Sequence, residues 1–351
     1  MKKIFVLLFL LNFELILSQT FIHPTLPSDE ITGIHYLNDM DVIFINSGGS
    51  IYKSYNGGIT WQLKKYYPHS NLAEIQFIDE KTGFIRTNNY YPVDNMLIYT
   101  GDGGETWGEA DVSIYPAYSF LPLSQSVLLK AAIGSIERLD NFYNDWQTTF
   151  KIPTYVDSSS DLVSREYYGI VSKLLRLNNG NILALGNNLN AFYKGILHDS
   201  VSYILESRDQ GLTWDTLWMG LKQAASDFIF VNDSTGWMLA PDSVYNSLDG
   251  GLTWTSRDTK KGSEYKSLFA EGNNIYLLDS YNMIEKSTDN GINWTVSNSD
   301  NFYFTSGIFN DPNNGFLFGE ALERTSNGGK NWINLTPHVR NNIIRIQESR
   351  L

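Results

Sequence analysis

The 351-residue chain contains no cysteine. That excludes disulfides, thiolate metal centres, a cysteine nucleophile and an N-terminal lipid-modified cysteine. Histidine is scarce: His23, His35, His69, His198 and His338 are the five, and their spacing fits no metal-ligand pattern. Positive charge is short too, with 26 Lys and Arg against 38 Asp and Glu and a net charge of −12. A chain of that balance does not grip nucleic-acid phosphates through bulk charge. Charged residues make up only 18% while hydrophobic residues reach 42%, which is the profile of a globular chain and not a disordered one. Long apolar runs are missing except at the start. Met1, Lys2 and Lys3 precede an almost wholly apolar stretch, residues 4–17, in which Glu14 stands out, and Ser18 follows. This is the layout of a signal peptide cleaved after Ser18. The stretch is too short for a bilayer core, which takes about 20 residues. The expectation is an exported protein, secreted or periplasmic, with residues 1–18 removed and no transmembrane segment afterwards.

What the chain does have is aromatics and glycine: 21 Tyr, 19 Phe, 9 Trp and 28 Gly. That mixture favours strands and tight turns. Aligning the tryptophans exposes a repeat. The segments SYNGGITW (54–61), TGDGGETW (100–107), SRDQGLTW (207–214), SLDGGLTW (247–254), STDNGINW (287–294) and TSNGGKNW (325–332) share the pattern [ST]-x-[DN]-x-G-x-[TN]-W. A seventh, degraded copy, LDNFYNDW (139–146), keeps Trp146 but has Tyr143 in place of the glycine.

Short apolar runs flank each motif, and two more precede it, as in DFIFVND (227–233) and TGWMLA (235–240). The motif glycine supplies positive φ to a hairpin turn, the Asp or Asn oxygen accepts turn N–H groups, and the indole packs beside the turn. Four strands, A to D, recur every forty residues or so, seven times. The fold class expected is therefore all-β: a seven-bladed β-propeller of four-stranded antiparallel blades, with the motif between strands C and D. The domain reading is 1–18 signal peptide, 19–340 propeller and 341–351 tail or closing strand. Either residues 20–26 or residues 342–347 would pair with an end blade, since an unsealed ring leaves strand edges open.

The motif resembles the Asp-box, or bacterial neuraminidase repeat. The longer unit, with its TGW or TGF element, resembles the propellers of the photosystem II assembly and stability factor family. Sortilin and the xyloglucan-active glycoside hydrolases are similar to it in the box alone. The resemblance implies that the box is a structural turn, formed here by Asn56, Gly58 and Trp61; Asp102, Gly104 and Trp107; Trp146; Asp209, Gly211 and Trp214; Asp249, Gly251 and Trp254; Asp289, Gly291 and Trp294; and Asn327, Gly329 and Trp332. It also implies the docking of a protein partner. Calcium loops need further ligands and a distal Glu, which these segments lack, so no metal or cofactor is expected.

Strand connections alternate between two faces of a propeller. The extra length falls at B–C and D–A positions: YYPHSN (66–71), NNYYPVDN (88–95), the segment 154–169 and the segment 188–201. These four should share one face, where long loops on a rigid scaffold carry binding. Tyr66, Tyr67, Tyr90, Tyr91, Tyr155, Tyr167, Tyr168 and Tyr193 are the candidate ligand-binding residues, because tyrosine offers a rigid amphipathic surface at low entropic cost. Asp157, Asp161, Glu166 and Asp199 lie on the same face as candidates for a carboxylate pair. A sialidase needs three clamping arginines, and too few of the ten here occupy inner-strand positions. Serine-triad chemistry lacks a nucleophile elbow. The reading is an exported, monomeric, non-catalytic scaffold for a protein or glycan partner in the cell envelope or outside the cell. The alternative is a glycoside hydrolase or lectin using those carboxylates.

Overall fold

The protein is described by a computed structural model covering residues 29–89, 95–142, 145–152, 155–157, 165–167, 169–188, 192–193, 196–197, 201–221, 223–241, 243–259, 265–299 and 302–335. These residues form strands and turns with no helix. Seven four-stranded antiparallel sheets follow one another along the chain, each with its strands in sequence order. Blade 1 consists of strands A (Ile31–Tyr36), B (Val42–Asn46), C (Ser50–Ser54) and D (Gln62–Tyr66). Blades 2 to 7 occupy residues 72–113, 119–151, 169–221, 227–257, 265–298 and 304–334. The expected seven-bladed architecture is the observed one.

Burial follows position in the blade. Strand B is buried at every residue in blade 1, as are Gly83–Thr87 in blade 2 and Gly236–Ala240 in blade 5. Blade 1's strand D is almost wholly exposed. The apolar clusters lie between blades, each joining side chains of two neighbours. Each fully buried large side chain contributes roughly 1.5–3 kcal/mol. A chain without disulfides rests on this inter-blade packing.

The seven A strands neighbour one another around the axis, and blade 1 touches strands A and B of blade 7. The closing contact is itself a core cluster. Phe44 and Trp61 of blade 1 pack with Phe316, Phe318 and Leu322 of blade 7. The rings of Tyr36 and Phe316 stack at 5.7 Å, and Asn310 Nδ2 donates to Asp39 Oδ1 at 2.8 Å. The two terminal segments expected to seal the ring, 20–26 and 342–347, lie outside the described residues.

Six of the motifs fold into one turn. In blade 2, Thr100 Oγ1 donates to Asp102 Oδ1 at 2.8 Å and accepts from the Gly104 N–H at 3.0 Å. Asp102 Oδ1 also accepts from the Thr106 N–H, and Oδ2 from the Thr106 hydroxyl. The same bonds recur around Asp209, Asp249 and Asp289, with Asn293 replacing the threonine in the last. Asn56 and Asn327 accept in the same way. The motif glycine is left-handed, and so is the residue before it: Gly57, Gly103, Gln210, Gly250, Asn290 and Gly328 all have positive φ. Two consecutive left-handed residues explain why that variable position holds only Gly, Asn or Gln. In four blades its N–H bonds to a carbonyl in the A–B turn, as Gly57 does with Met40.

Candidate recognition face

Strand order places the A–B turns and the motif turns on one face, and the B–C and D–A connections on the other. In six motif turns the capping Asp or Asn is bonded within the turn. Hydrogen bonds from Thr213 hold the Asp209 carboxyl down at about 2. Asp102 also sits at about 2, where bonds from Thr106 and Thr100 outweigh the opposing effect of burial. These carboxylates are turn caps.

The four length-variable segments do occupy B–C and D–A connections. Two contain regular structure. Tyr155–Asp157 pairs with Arg165–Tyr167, and Phe192–Tyr193 pairs with Ile196–Leu197, so each of these insertions contains an antiparallel strand pair. Backbone register sets Tyr155 opposite Tyr167, Asp157 opposite Arg165, and Glu166 opposite Val156, with Tyr193 on the second hairpin. Tyr90, Tyr91, Tyr168, Asp161 and Asp199 lie outside the described residues. Tyr66 is 55% exposed, but Tyr67 is only 5% exposed and belongs to the core between blades 1 and 2. Burial pushes its hydroxyl up to about 12. Tyr67 is therefore withdrawn as a ligand contact. It continues strand D by one residue, its N–H bonding to Gly49 O, and successive strand residues point to opposite sides.

Four tyrosines on this face escaped the sequence reading. Tyr115 and Tyr118 stand in the D–A connection between blades 2 and 3, Tyr281 in the B–C turn of blade 6, and Tyr303 in the D–A connection before blade 7; all are exposed. Their connections are short, so loop length gave no signal. The two other exposed tyrosines among the described residues, Tyr55 and Tyr99, sit at or beside motif turns, where Tyr55 bonds Glu105 and Tyr99 stacks on Phe142.

Two clefts open on this face, one lined in part by Asn88 and Asn95 and the other by Asn89. The cleft between blades 2 and 3 has a volume of about 330 Å³ and is walled by Ile114, Tyr115, Pro116, Tyr118 and Ile133, with Asn88 and Arg86 among the polar lining. Arg86 is buried, and its guanidinium organises the site. Nε reaches Glu74 Oε2 at 3.3 Å, Nη1 donates to Ala117 O at 3.1 Å and Nη2 to Tyr118 O at 3.4 Å. A strand residue thus pins the tyrosine-bearing loop by its carbonyls. Glu74 also accepts from Gln76 and Ser119; burial raises its pKa despite the pull of Arg86. The second cleft, between blades 1 and 2, is about 550 Å³ and is lined by polar residues together with Tyr66.

Neither cleft brings together two carboxylates: the first has none in its lining and the second has Asp29 alone. The linings of these two clefts therefore do not supply the pair that two-carboxylate glycoside chemistry needs. Among the described residues no three His, Asp or Glu side chains gather as metal ligands.

No family model and no curated protein matches the chain. Solved structures do resemble it. The chain is similar to a structure titled YCF48 bound to D1 peptide, at 15% identity and a TM-score of 0.63, covering 86% of this chain and 94% of that one. YCF48 from Cyanidioschyzon merolae is similar at 14% identity and a TM-score of 0.62, covering 86% and 97%. The GH74 xyloglucanase from Xanthomonas campestris matches at 11% identity and a TM-score of 0.61, covering 86% of this chain but 52% of that enzyme. At these identities the likeness establishes the propeller fold.

Proposed function

We propose that this propeller is an exported, non-catalytic recognition scaffold that binds an extended segment of a protein partner on its B–C and D–A face. The observation that carries the reading is the enrichment of exposed tyrosine: among the described residues five of the seven exposed tyrosines stand on this face, while the capping carboxylates of the motif turns are bonded within those turns. Rigid amphipathic rings over a pinned loop suit a partner that arrives as an extended chain. The peptide-bound YCF48 structure is in keeping with a propeller of this shape holding a peptide. Export rests on the signal-like start of the sequence. The glycoside-hydrolase alternative depends on Asp157, Asp161, Glu166 and Asp199; backbone pairing puts Asp157 and Glu166 on one hairpin, while Asp161 and Asp199 lie outside the described residues.

The test compares capture of envelope and extracellular proteins by the wild type, by Tyr115→Ala/Tyr118→Ala and by the motif-face variant Tyr55→Ala/Leu252→Ala. All three should fold alike. The reading expects a partner that the first variant loses at least tenfold and the second retains. Equal capture by all three would sink it.

A further inference from the structure

The cleft between blades 1 and 2 differs in chemistry from its neighbour. Its lining is Asp29, Ser47, Gly48, Tyr66, His69, Ser70, Asn71 and Asn89. No aliphatic side chain contributes, whereas Ile114, Pro116 and Ile133 wall the cleft between blades 2 and 3. A peptide side chain finds no apolar pocket here. A sugar ring needs something else: one aromatic face for its C–H groups and a ring of planar hydrogen-bonding groups for its hydroxyls.

Those elements are present. Tyr66 offers an exposed ring at the end of strand D. The Asp29 carboxylate makes no hydrogen bond within the described residues and lies over Gly48 so closely that a Cβ there would come within 2.1 Å of Asp29 Oδ2. Glycine at 48 is what lets the carboxylate settle into the cleft wall. A carboxylate accepts from two adjacent hydroxyls at once. His69 is exposed, holds a left-handed backbone at φ 63° and has no side-chain partner within the described residues. A non-glycine residue rarely adopts that conformation. Among the described residues the Asn71 side chain likewise makes no hydrogen bond; its backbone is bonded to the Asn89 side chain and the Asn88 N–H. No lysine or arginine lines the cleft, so an acidic sugar would meet Asp29 without a counter-charge. The volume of about 550 Å³ lies in the range of small-ligand sites.

We propose that this cleft is a saccharide subsite that takes a neutral pyranose with vicinal hydroxyls, its ring face on Tyr66 and its hydroxyls on Asp29, Asn71 and His69. The site stands apart from the cleft between blades 2 and 3 and does not depend on that reading. Saturation-transfer NMR with the methyl glycosides of glucose, galactose, mannose and N-acetylglucosamine tests it on the purified protein. At least one glycoside should show saturable transfer. Its affinity should fall at least tenfold in Tyr66→Ala and in Asp29→Ala, persist in Tyr66→Phe, and be unchanged in Tyr118→Ala. Gly48→Ala, which displaces Asp29 without removing it, should weaken binding as well. No transfer to any of the four, or transfer that survives Tyr66→Ala and Asp29→Ala at unchanged affinity, would overturn the assignment.

Discussion

Gly58→Ala probes the ring closure with one methyl group. Gly58 has a φ of 83°, and a Cβ built on it would lie 2.2 Å from Phe316 Cζ. Phe316 belongs to blade 7, is fully buried, and contacts the rings of Tyr36 and Trp61. It has nowhere to retreat. The substitution therefore carries two costs. A left-handed alanine costs roughly 1–2 kcal/mol. Overpacking the blade 1–blade 7 core adds roughly 1–3 kcal/mol. Gly180 supplies the control. Its φ is 92°, and nothing lies within 4 Å of the position its Cβ would take, so Gly180→Ala incurs only the backbone cost. Urea unfolding followed by tryptophan fluorescence should show Gly58→Ala losing about 2–5 kcal/mol and Gly180→Ala about 1–2 kcal/mol. Against a total of roughly 5–15 kcal/mol, the first loss is severe. Equal losses at the two positions would refute the claim that the motif glycine of blade 1 is wedged against blade 7.

Arg86→Met should destabilise by about 1–3 kcal/mol, because it leaves the half-buried Glu74 carboxylate without its cation, and hydrogen exchange should speed up around residues 114–118; the double variant with Glu74→Gln should recover much of the stability but not the loop protection. The His35 ring is stacked on Phe77 at 4.9 Å, and burial lowers its pKa from 6.5 to about 4. The unfolded chain therefore binds the extra proton first, so stability falls as pH drops from about 6.5 to about 4, by up to roughly 3 kcal/mol; urea midpoints at pH 7 and pH 4 should show the drop, and His35→Phe should remove it. Asp102 and Asp209, held at about 2 in the folded protein, contribute stability above their unfolded value near 4 that is lost as pH falls toward 2. Asp209→Asn, which gives blade 4 the acceptor that blades 1 and 7 already use, should flatten that part of the acid-unfolding curve; an unchanged curve would count against the turn-cap role.

The propeller was legible because its signal is periodic and local. Glycine, Asp or Asn, and indole at fixed offsets state a turn, and six such turns with one degraded copy, recurring about every forty residues apart from one long insertion, state a ring. Even the second left-handed residue could have been read from the run Gly57, Gly103, Gln210, Gly250, Asn290, Gly328. The site was legible only where exposure follows from loop length. Tyr66 and Tyr67 look alike in sequence, yet strand alternation sends one to solvent and the other into the core. Tyr115 and Tyr118 owe their placement to Arg86, some thirty residues earlier on a buried strand, a pairing that no local pattern reports. Which blade closes on which was also beyond the motif, since Phe316 meets Gly58 only through the ring's curvature.

Hydroxyl-radical footprinting of the protein with its captured partner puts the recognition face to the most direct trial. Protection should fall on Tyr115 and Tyr118, extend along that face, and leave the exposed motif-turn residues Ile59, Leu212, Leu252 and Ile292 as reactive as in the free protein. Protection confined to those four aliphatic side chains, with Tyr115 and Tyr118 unshielded, would place the partner on the opposite face and contradict the account.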